Sequence, residues 1–235
     1  MCEECGCGEP EKAPRETQTS DPLGKDLLSS NDRAARHNRE HLRKLGSFLV
    51  HLTSSPGSGK TSLLEATVGN LKERLSVGVI EGDVATENDA KRMEAMGIPS
   101  QAITTDGACH LSASQVHHAM HHLTEEGSFD LMFVENVGNL VCPADFDLGE
   151  DQRVVLISVT EGDDKPEKYP PIFRNADVLV ISKTDLLPHV DFDVEKCKRL
   201  ARTVAPRIRT FELSAKNGEG IEEWTEWLLN LVPGK

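Results

Sequence analysis

Apolar residues in this chain come in short unbroken blocks set between longer amphipathic stretches. Residues 48–52, 77–80, 131–134, 154–157 and 178–181 are aliphatic or β-branched runs. Such runs predict strands buried on both faces. Ala102-Ile103 and residues 210–213 read as two further short strands. Between the blocks the apolar positions change to helical spacing, which predicts helices over 61–75, 89–96, 112–123, 194–205 and 221–231. A weaker stripe of Leu27, Leu28, Ala34, Ala35, Leu42 and Leu45 predicts a helix over 23–45, ahead of the first strand. Residues 1–24 carry no periodic pattern and are rich in Cys, Gly, Pro, Glu, Thr and Ser. That composition predicts a flexible tail, because it offers too little apolar surface to offset chain entropy.

Alternating strand and helix with unbroken apolar strands indicates an α/β fold, with a mostly parallel sheet covered by helices on both faces. Ligands of such sheets lie beyond the carboxyl ends of the strands. Three units are expected: a tail at 1–24, a helical segment at 25–46 and an α/β domain at 47–235.

One motif follows the first strand and opens the next helix. Ser54-Ser55-Pro56-Gly57-Ser58-Gly59-Lys60-Thr61 is a phosphate-binding loop in its proper context, with Ser54 where a glycine is usual. Pro56, Gly57, Ser58, Gly59 and Ser62 are expected to surround the phosphates. The helix N-terminus adds partial positive charge there. Lys60 is placed to reach the β- and γ-phosphates, and the Thr61 hydroxyl to bind Mg²⁺. Asp83 ends the second strand and is a further Mg²⁺ ligand, or else a turn residue. Glu135-Asn136-Val137-Gly138-Asn139 resembles the Asp-x-x-Gly switch of GTPases, with Glu135 for Asp and Gly138 as γ-phosphate sensor. Ser182-Lys183-Thr184-Asp185 resembles Asn-Lys-x-Asp, which reads guanine, with Ser182 for Asn. Asp185 can accept both guanine N1–H and the exocyclic N–H, and Lys183 lies along the base. Ser214-Ala215-Lys216 resembles the last GTPase motif, where a backbone amide meets guanine O6. The nucleotide is therefore expected to be GTP/GDP rather than ATP.

Composition narrows the function. Lys+Arg is 26 and Asp+Glu is 39, a net charge of −13. This excludes nucleic-acid binding through a broad basic face and a charge-held membrane association. No run approaches the roughly 20 apolar residues of a membrane helix. The polar, acidic start is no secretory signal, so the six cysteines are expected in a reducing, cytoplasmic setting, where clusters hold metals or do redox chemistry. Cys2, Cys5 and Cys7 can surround one Ni²⁺, Zn²⁺ or Cu⁺; a redox pair is the alternative. Cys109, His110 and Cys142 are too few for a closed tetrahedral site. Two copies across a twofold axis supply enough ligands, so a metal site at a homodimer interface is one reading. Two small buried hydrophobes are the other. His117, His118, His121 and His122 form two i,i+4 pairs, read as a solvated helical face or as metal ligands. Cys197 reads as plain packing.

Taken with the segments EGDVATENDA and VTEGDDKPEKYP, these motifs resemble the HypB family, the nickel-insertion GTPases of nickel-iron hydrogenase maturation. The resemblance runs through the whole chain in order. It implies a SIMIBI-type P-loop GTPase that dimerises with nucleotide. It implies a nickel site in the tail, matching Cys2, Cys5 and Cys7, and a nickel or zinc site matching Cys109, His110 and Cys142. It further implies a HypA-type nickel chaperone and the hydrogenase large-subunit precursor as partners. With neither an arginine finger nor a strong base evident, intrinsic turnover is expected to be slow. The urease GTPase UreG carries Cys-Pro-His where this chain has Cys142-Pro143-Ala144, and lacks the tail thiols. A nickel or zinc store with incidental GTPase activity, a urease-type insertion GTPase and a small-molecule kinase are the alternatives.

Overall fold

The computed structural model describes residues 22–83, 88–105, 107–125 and 127–232. Seven parallel strands form one sheet in the order β3-β2-β4-β1-β5-β6-β7. They are β1 (Phe48–Ser54), β2 (Val77–Asp83), β3 (Ser100–Thr104), β4 (Leu131–Glu135), β5 (Gln152–Ser158), β6 (Val178–Ser182) and β7 (Arg209–Leu213). The helices are α1 (Pro22–Leu45), α2 (Lys60–Leu71), α3 (Asn88–Ala95), α4 (Ala113–Thr124), α5 (Lys165–Lys168), α6 (Pro170–Arg174), α7 (Val194–Val204) and α8 (Ile221–Leu231).

Every expected strand is present, and the apolar runs explain why. Along β1 and β5 successive side chains enter opposite cores. Val50, Leu52, Val154 and Leu156 pack with α2 and α8 on one face. Leu49 packs with α1 and α4 on the other, and Val155 and Ile157 with α6 and α7. A sheet enclosed this way can tolerate apolar residues on both sides of each strand.

Three expectations change. Helix α2 ends at Leu71, not at 75, although Leu75 is buried. A turn in which the Leu75 N–H donates to Leu71 O keeps the apolar spacing while leading the chain into β2. Residues 165–168 and 170–174, for which no element is expected, are short helices with prolines in the first turn. Helix α1 starts at Pro22, within the stretch assigned to the tail, because a proline suits a first helical turn.

Helix α1 is also not a separate segment. Leu28, Ala35 and Leu42 are buried, whereas Leu27 of the same stripe is exposed. Asn31 takes the Ala113 N–H and donates to Asp147 O. Asn38, fully buried, donates to both Ala113 O and Leu148 O. Arg39 forms both hydrogen bonds with the Asp147 carboxylate at 2.7 Å. These contacts tie α1 to the start of α4 and to the loop before β5.

Because Leu42 is only 2 % exposed in the core shared by α1, β1 and α4, Leu42→Ala is expected to lower unfolding free energy by about 2–5 kcal/mol. Urea denaturation followed by circular dichroism measures it. A loss below about 0.5 kcal/mol would show that α1 contributes little to the core.

Candidate nucleotide and metal site

The phosphate loop runs from the carboxyl end of β1 into α2. Gly57 and Gly59 have φ of +74° and +93°. This left-handed backbone suits glycine and turns the chain back on itself. A Cβ on Gly57 meets nothing within 4 Å, so its conformation rather than crowding calls for glycine. Lys60 donates to Ser54 Oγ at 2.9 Å, so the serine that replaces the usual glycine receives the loop's own ammonium. Thr61 donates to Glu135 Oε1 at 2.9 Å, which joins the first turn of α2 to the end of β4. Asp83 ends β2, on the far side of β4 from β1. A curled glycine loop, a hydroxyl and strand-end carboxylates form a donor set suited to a nucleotide phosphate and Mg²⁺.

The segment expected to act as a switch, residues 135–139, lies directly on this loop. A Cβ on Gly138 would stand 2.9 Å from Pro56 Cα, which leaves room only for glycine.

Beside the loop is a cavity of about 210 Å³ bordered by Ser58, Gly59, Ser62, Lys183, Asp185, Leu186 and the Ser214-Ala215-Lys216 segment. All three parts of the expected base site therefore meet. Lys183 has a φ of +61° and donates to Gly57 O at 2.6 Å, with its stem passing over Gly59. Ser182 donates to Ser58 O at 2.7 Å, fastening the base loop to the phosphate loop. Asp185 accepts from Ser214 Oγ at 2.6 Å, which aims its carboxylate into the cavity region.

Two residues absent from the expected site support it. Glu161 accepts from Ser58 Oγ at 2.6 Å and from the Ser158 N–H at 3.1 Å. Burial alone would raise its pKa, but these bonds, with those from Ser55 and Lys165, outweigh burial and keep the carboxyl ionised. Lys165 bridges Glu161 at 3.0 Å and Ser55 Oγ at 3.2 Å. Their only sequence signal was the VTEGDDKPEKYP segment quoted for its resemblance.

The metal candidates also converge. Cys109, His110 and Cys142 place three ligand atoms within 4.8 Å of one another, and all three residues are half-buried. They are not enclosed hydrophobes. Cys109 Sγ lies 3.6 Å from His110 Nδ1. A hydrogen bond with the Cys142 thiol, together with burial, pushes the Cys109 thiol above its usual range. Burial lowers the His110 imidazole, which lies on Phe146 with ring centroids 3.8 Å apart. Cys197 is fully buried and its thiol is pushed up to about 12, so packing is its role. Cys2, Cys5 and Cys7 lie outside the described residues.

Hydrogen bonds hold this trio to the switch. Asn136 Oδ1 accepts the N–H of Leu111, the residue after His110, at 3.0 Å, and that of Val137 at 2.9 Å. Asn136 Nδ2 donates to buried His51 Nε2 at 2.8 Å, and His51 Nδ1 faces Glu150 at 3.5 Å. Glu150 holds Arg153, which donates to Ala144 O and Phe146 O in and beside the turn (Cys142–Asp145) that carries Cys142. No local pattern announces His51, Glu150 or Arg153, because each gains meaning only through burial beside the others.

At neutral pH His110 is already deprotonated, while Cys109 must lose a proton to bind a metal. Apparent Ni²⁺ or Zn²⁺ affinity at this trio is expected to rise about tenfold per pH unit for each thiol proton displaced. Competition with a chromophoric chelator from about pH 6 to 8 measures this, and a flat profile would contradict thiolate ligation.

The sequence model described as CobW/HypB/UreG, nucleotide-binding domain, matches residues 48–212. The hydrogenase maturation factor HypB of Azotobacter vinelandii is 52 % identical over 207 residues, which cover 88 % of this chain and 68 % of that protein. The crystal structure of HypB from Archaeoglobus fulgidus superposes with a TM-score of 0.81 at 44 % identity, covering 87 % of this chain and 99 % of that one. HypB from Helicobacter pylori, solved in complex with nickel, superposes with a TM-score of 0.82 at 39 % identity, covering 86 % and 94 %. With a phosphate loop, a base cavity and a thiol–imidazole trio on one sheet edge, and with this similarity along most of its length, the chain belongs to the HypB family of hydrogenase maturation factors, whose common core is a P-loop GTPase domain.

Proposed function

We propose that this chain is a GTP-hydrolysing nickel chaperone that helps load nickel into the hydrogenase large-subunit precursor. The observation that carries the proposal is the bonding of the switch segment to the metal trio. Asn136 holds Leu111, and Asn139 donates to Cys109 O at 3.4 Å. The segment that would sense the γ-phosphate through Gly138 therefore also bonds, through Asn136 and Asn139, to the loop that carries Cys109 and His110. A HypB of known structure that contains nickel supports nickel as the cargo.

In this reading Asp185 takes the guanine N–H groups, Lys183 covers the base, and the amides of Ser214-Ala215-Lys216 face its carbonyl. Lys60 stabilises charge on the phosphoryl group as water attacks the γ-phosphate. Mg²⁺, held by Thr61 with Asp83 and Glu135 nearby, would neutralise further phosphate charge. Among the described residues, Lys60, Lys165 and Lys183 bond to the phosphate loop. Slow turnover would suit a timer rather than a metabolic enzyme. Gly138 would follow the γ-phosphate, and its release after hydrolysis would loosen the segment leading to Cys142. A nucleotide-dependent homodimer would bring two trios together and complete a nickel or zinc site. Cys2, Cys5 and Cys7 would hold nickel, and a HypA-type chaperone would be a partner in the cytoplasm. No helix among the described residues is long and apolar enough to cross a membrane.

Asp185→Asn is expected to weaken GDP binding at least about 100-fold, because the amide offers a donor where guanine also donates. Fluorescent-nucleotide titration tests this, and unchanged affinity would argue for a different base. Ni²⁺ affinity, measured with Cys2, Cys5 and Cys7 replaced by serine, is expected to differ at least about tenfold between the GDP state and a non-hydrolysable GTP state. That is about 1.4 kcal/mol of coupling. Equal affinities would sink the chaperone cycle. Asn136→Ala is expected to retain nucleotide binding, to weaken metal binding at the trio and to lose the difference between the two states. A Lys60→Ala chain that still supports hydrogenase maturation would instead favour a storage protein.

A further inference from the structure

The histidines of α4 are not all part of a solvated face. His118, His121 and His122 are exposed, but His117 turns inward against α1. There it meets His37 and His41, one helical turn apart on α1. Ring centroids are 4.7 Å apart for His37–His117 and 5.7 Å for His41–His117. Imidazoles that share one tetrahedral ion, with metal–nitrogen bonds of about 2.0–2.1 Å, have centroids roughly 5 Å apart. The observed pair of distances brackets that spacing.

Two further features point to a ligand. His41 Nδ1 is buried with no hydrogen-bond partner among the described residues. A buried nitrogen in that condition is costly unless something else satisfies it. His117 Nδ1 donates to Asn38 Oδ1 at 3.0 Å. The Asn38 amide cannot turn away, because its nitrogen is bonded to Ala113 O and Leu148 O. The proton of His117 is thereby confined to Nδ1 and Nε2 is left with its lone pair, as carbonyl partners do for metal-binding histidines.

We propose that His37, His41 and His117, with His121 as the fourth imidazole, form a second metal site that clips α1 to α4 and takes a borderline divalent ion, Ni²⁺ or Zn²⁺. It is separate from the thiol trio and lies roughly two helical turns further along. An all-imidazole donor set suits these ions. The four nitrogens are not gathered within 4.8 Å as the trio's ligand atoms are, so capture requires side-chain rotation, which exposed His37 and His121 are free to make. Burial and neighbouring histidines lower the His41 and His117 pKa values, which keeps both rings neutral and ready to ligate. Lys44 beside His41 opposes the incoming charge, and Glu125, 3.5 Å from His121 Nδ1, compensates for it.

The test uses the full chain with Cys2, Cys5, Cys7, Cys109 and Cys142 replaced by serine, which silences the thiol sites. Equilibrium dialysis against Zn²⁺ or Ni²⁺ is expected to find one ion per chain, and X-ray absorption a shell of nitrogen and oxygen only. His41→Gln with His117→Gln should lose that ion, while His118→Gln with His122→Gln should retain it. His37→Asn changes an exposed residue and guards against misfolding. It should weaken binding at least tenfold and abolish the Zn²⁺-dependent rise in melting temperature, without moving the melting temperature in EDTA. Absence of the ion, or its loss with His118 and His122 rather than His41 and His117, overturns the proposal.

Discussion

The carboxamide of Asn136 is buried, and both of its ends are committed. Its oxygen takes two backbone N–H groups, and its nitrogen meets His51. A buried amide must find partners or lose more than a typical hydrogen bond contributes. The arrangement around it is therefore close to all-or-none. Three segments depend on it: the end of β4, the loop that carries Cys109 and His110, and, through His51, Glu150 and Arg153, the turn that carries Cys142. Both halves of the thiol trio are referenced to the strand end that also positions Glu135 against Thr61. The fold uses a single polar connection where two independent sites would each have needed their own support.

Substitutions in the nucleotide motifs have a physical explanation of the same kind. Ser182 stands where asparagine is usual, yet its hydroxyl still reaches the phosphate loop at Ser58 O. Ser54 stands where glycine is usual, and its hydroxyl accepts from Lys60. Glu161 and Lys165 brace the loop from β5 and the short helix after it. The phosphate loop is thus held from β4, β5 and β6 at once. Strands that enter side by side and end together make this possible, because each delivers its polar residue to the same edge.

The histidines show how a surface pattern and a packed surface differ. At i,i+4 spacing, 117/121 and 118/122 look equivalent. Packing separates them, since α1 covers one pair member and leaves the others in solvent. Nothing in the spacing on α4 refers to His37 and His41, which lie about 80 residues earlier and belong to a different hydrophobic stripe.

The sequence by itself determined the strands, the helices of ordinary length and the nucleotide motifs. Those features are local: an unbroken apolar run, a 3.6-residue period and a glycine-lysine-threonine loop each carry their meaning within a few neighbouring residues. Cys109, His110 and Cys142 were also named as metal candidates, beside the alternative of two small buried hydrophobes. Only the tertiary structure decided that these three half-buried residues share one point and that α1 is part of the domain. It alone assigned the connecting work to Asn136, His51, Glu150 and Arg153. The reason is burial. An ordinary strand histidine or arginine acquires a role only when water is excluded and its polar atoms must be paired, and the partners come from positions far apart in the chain.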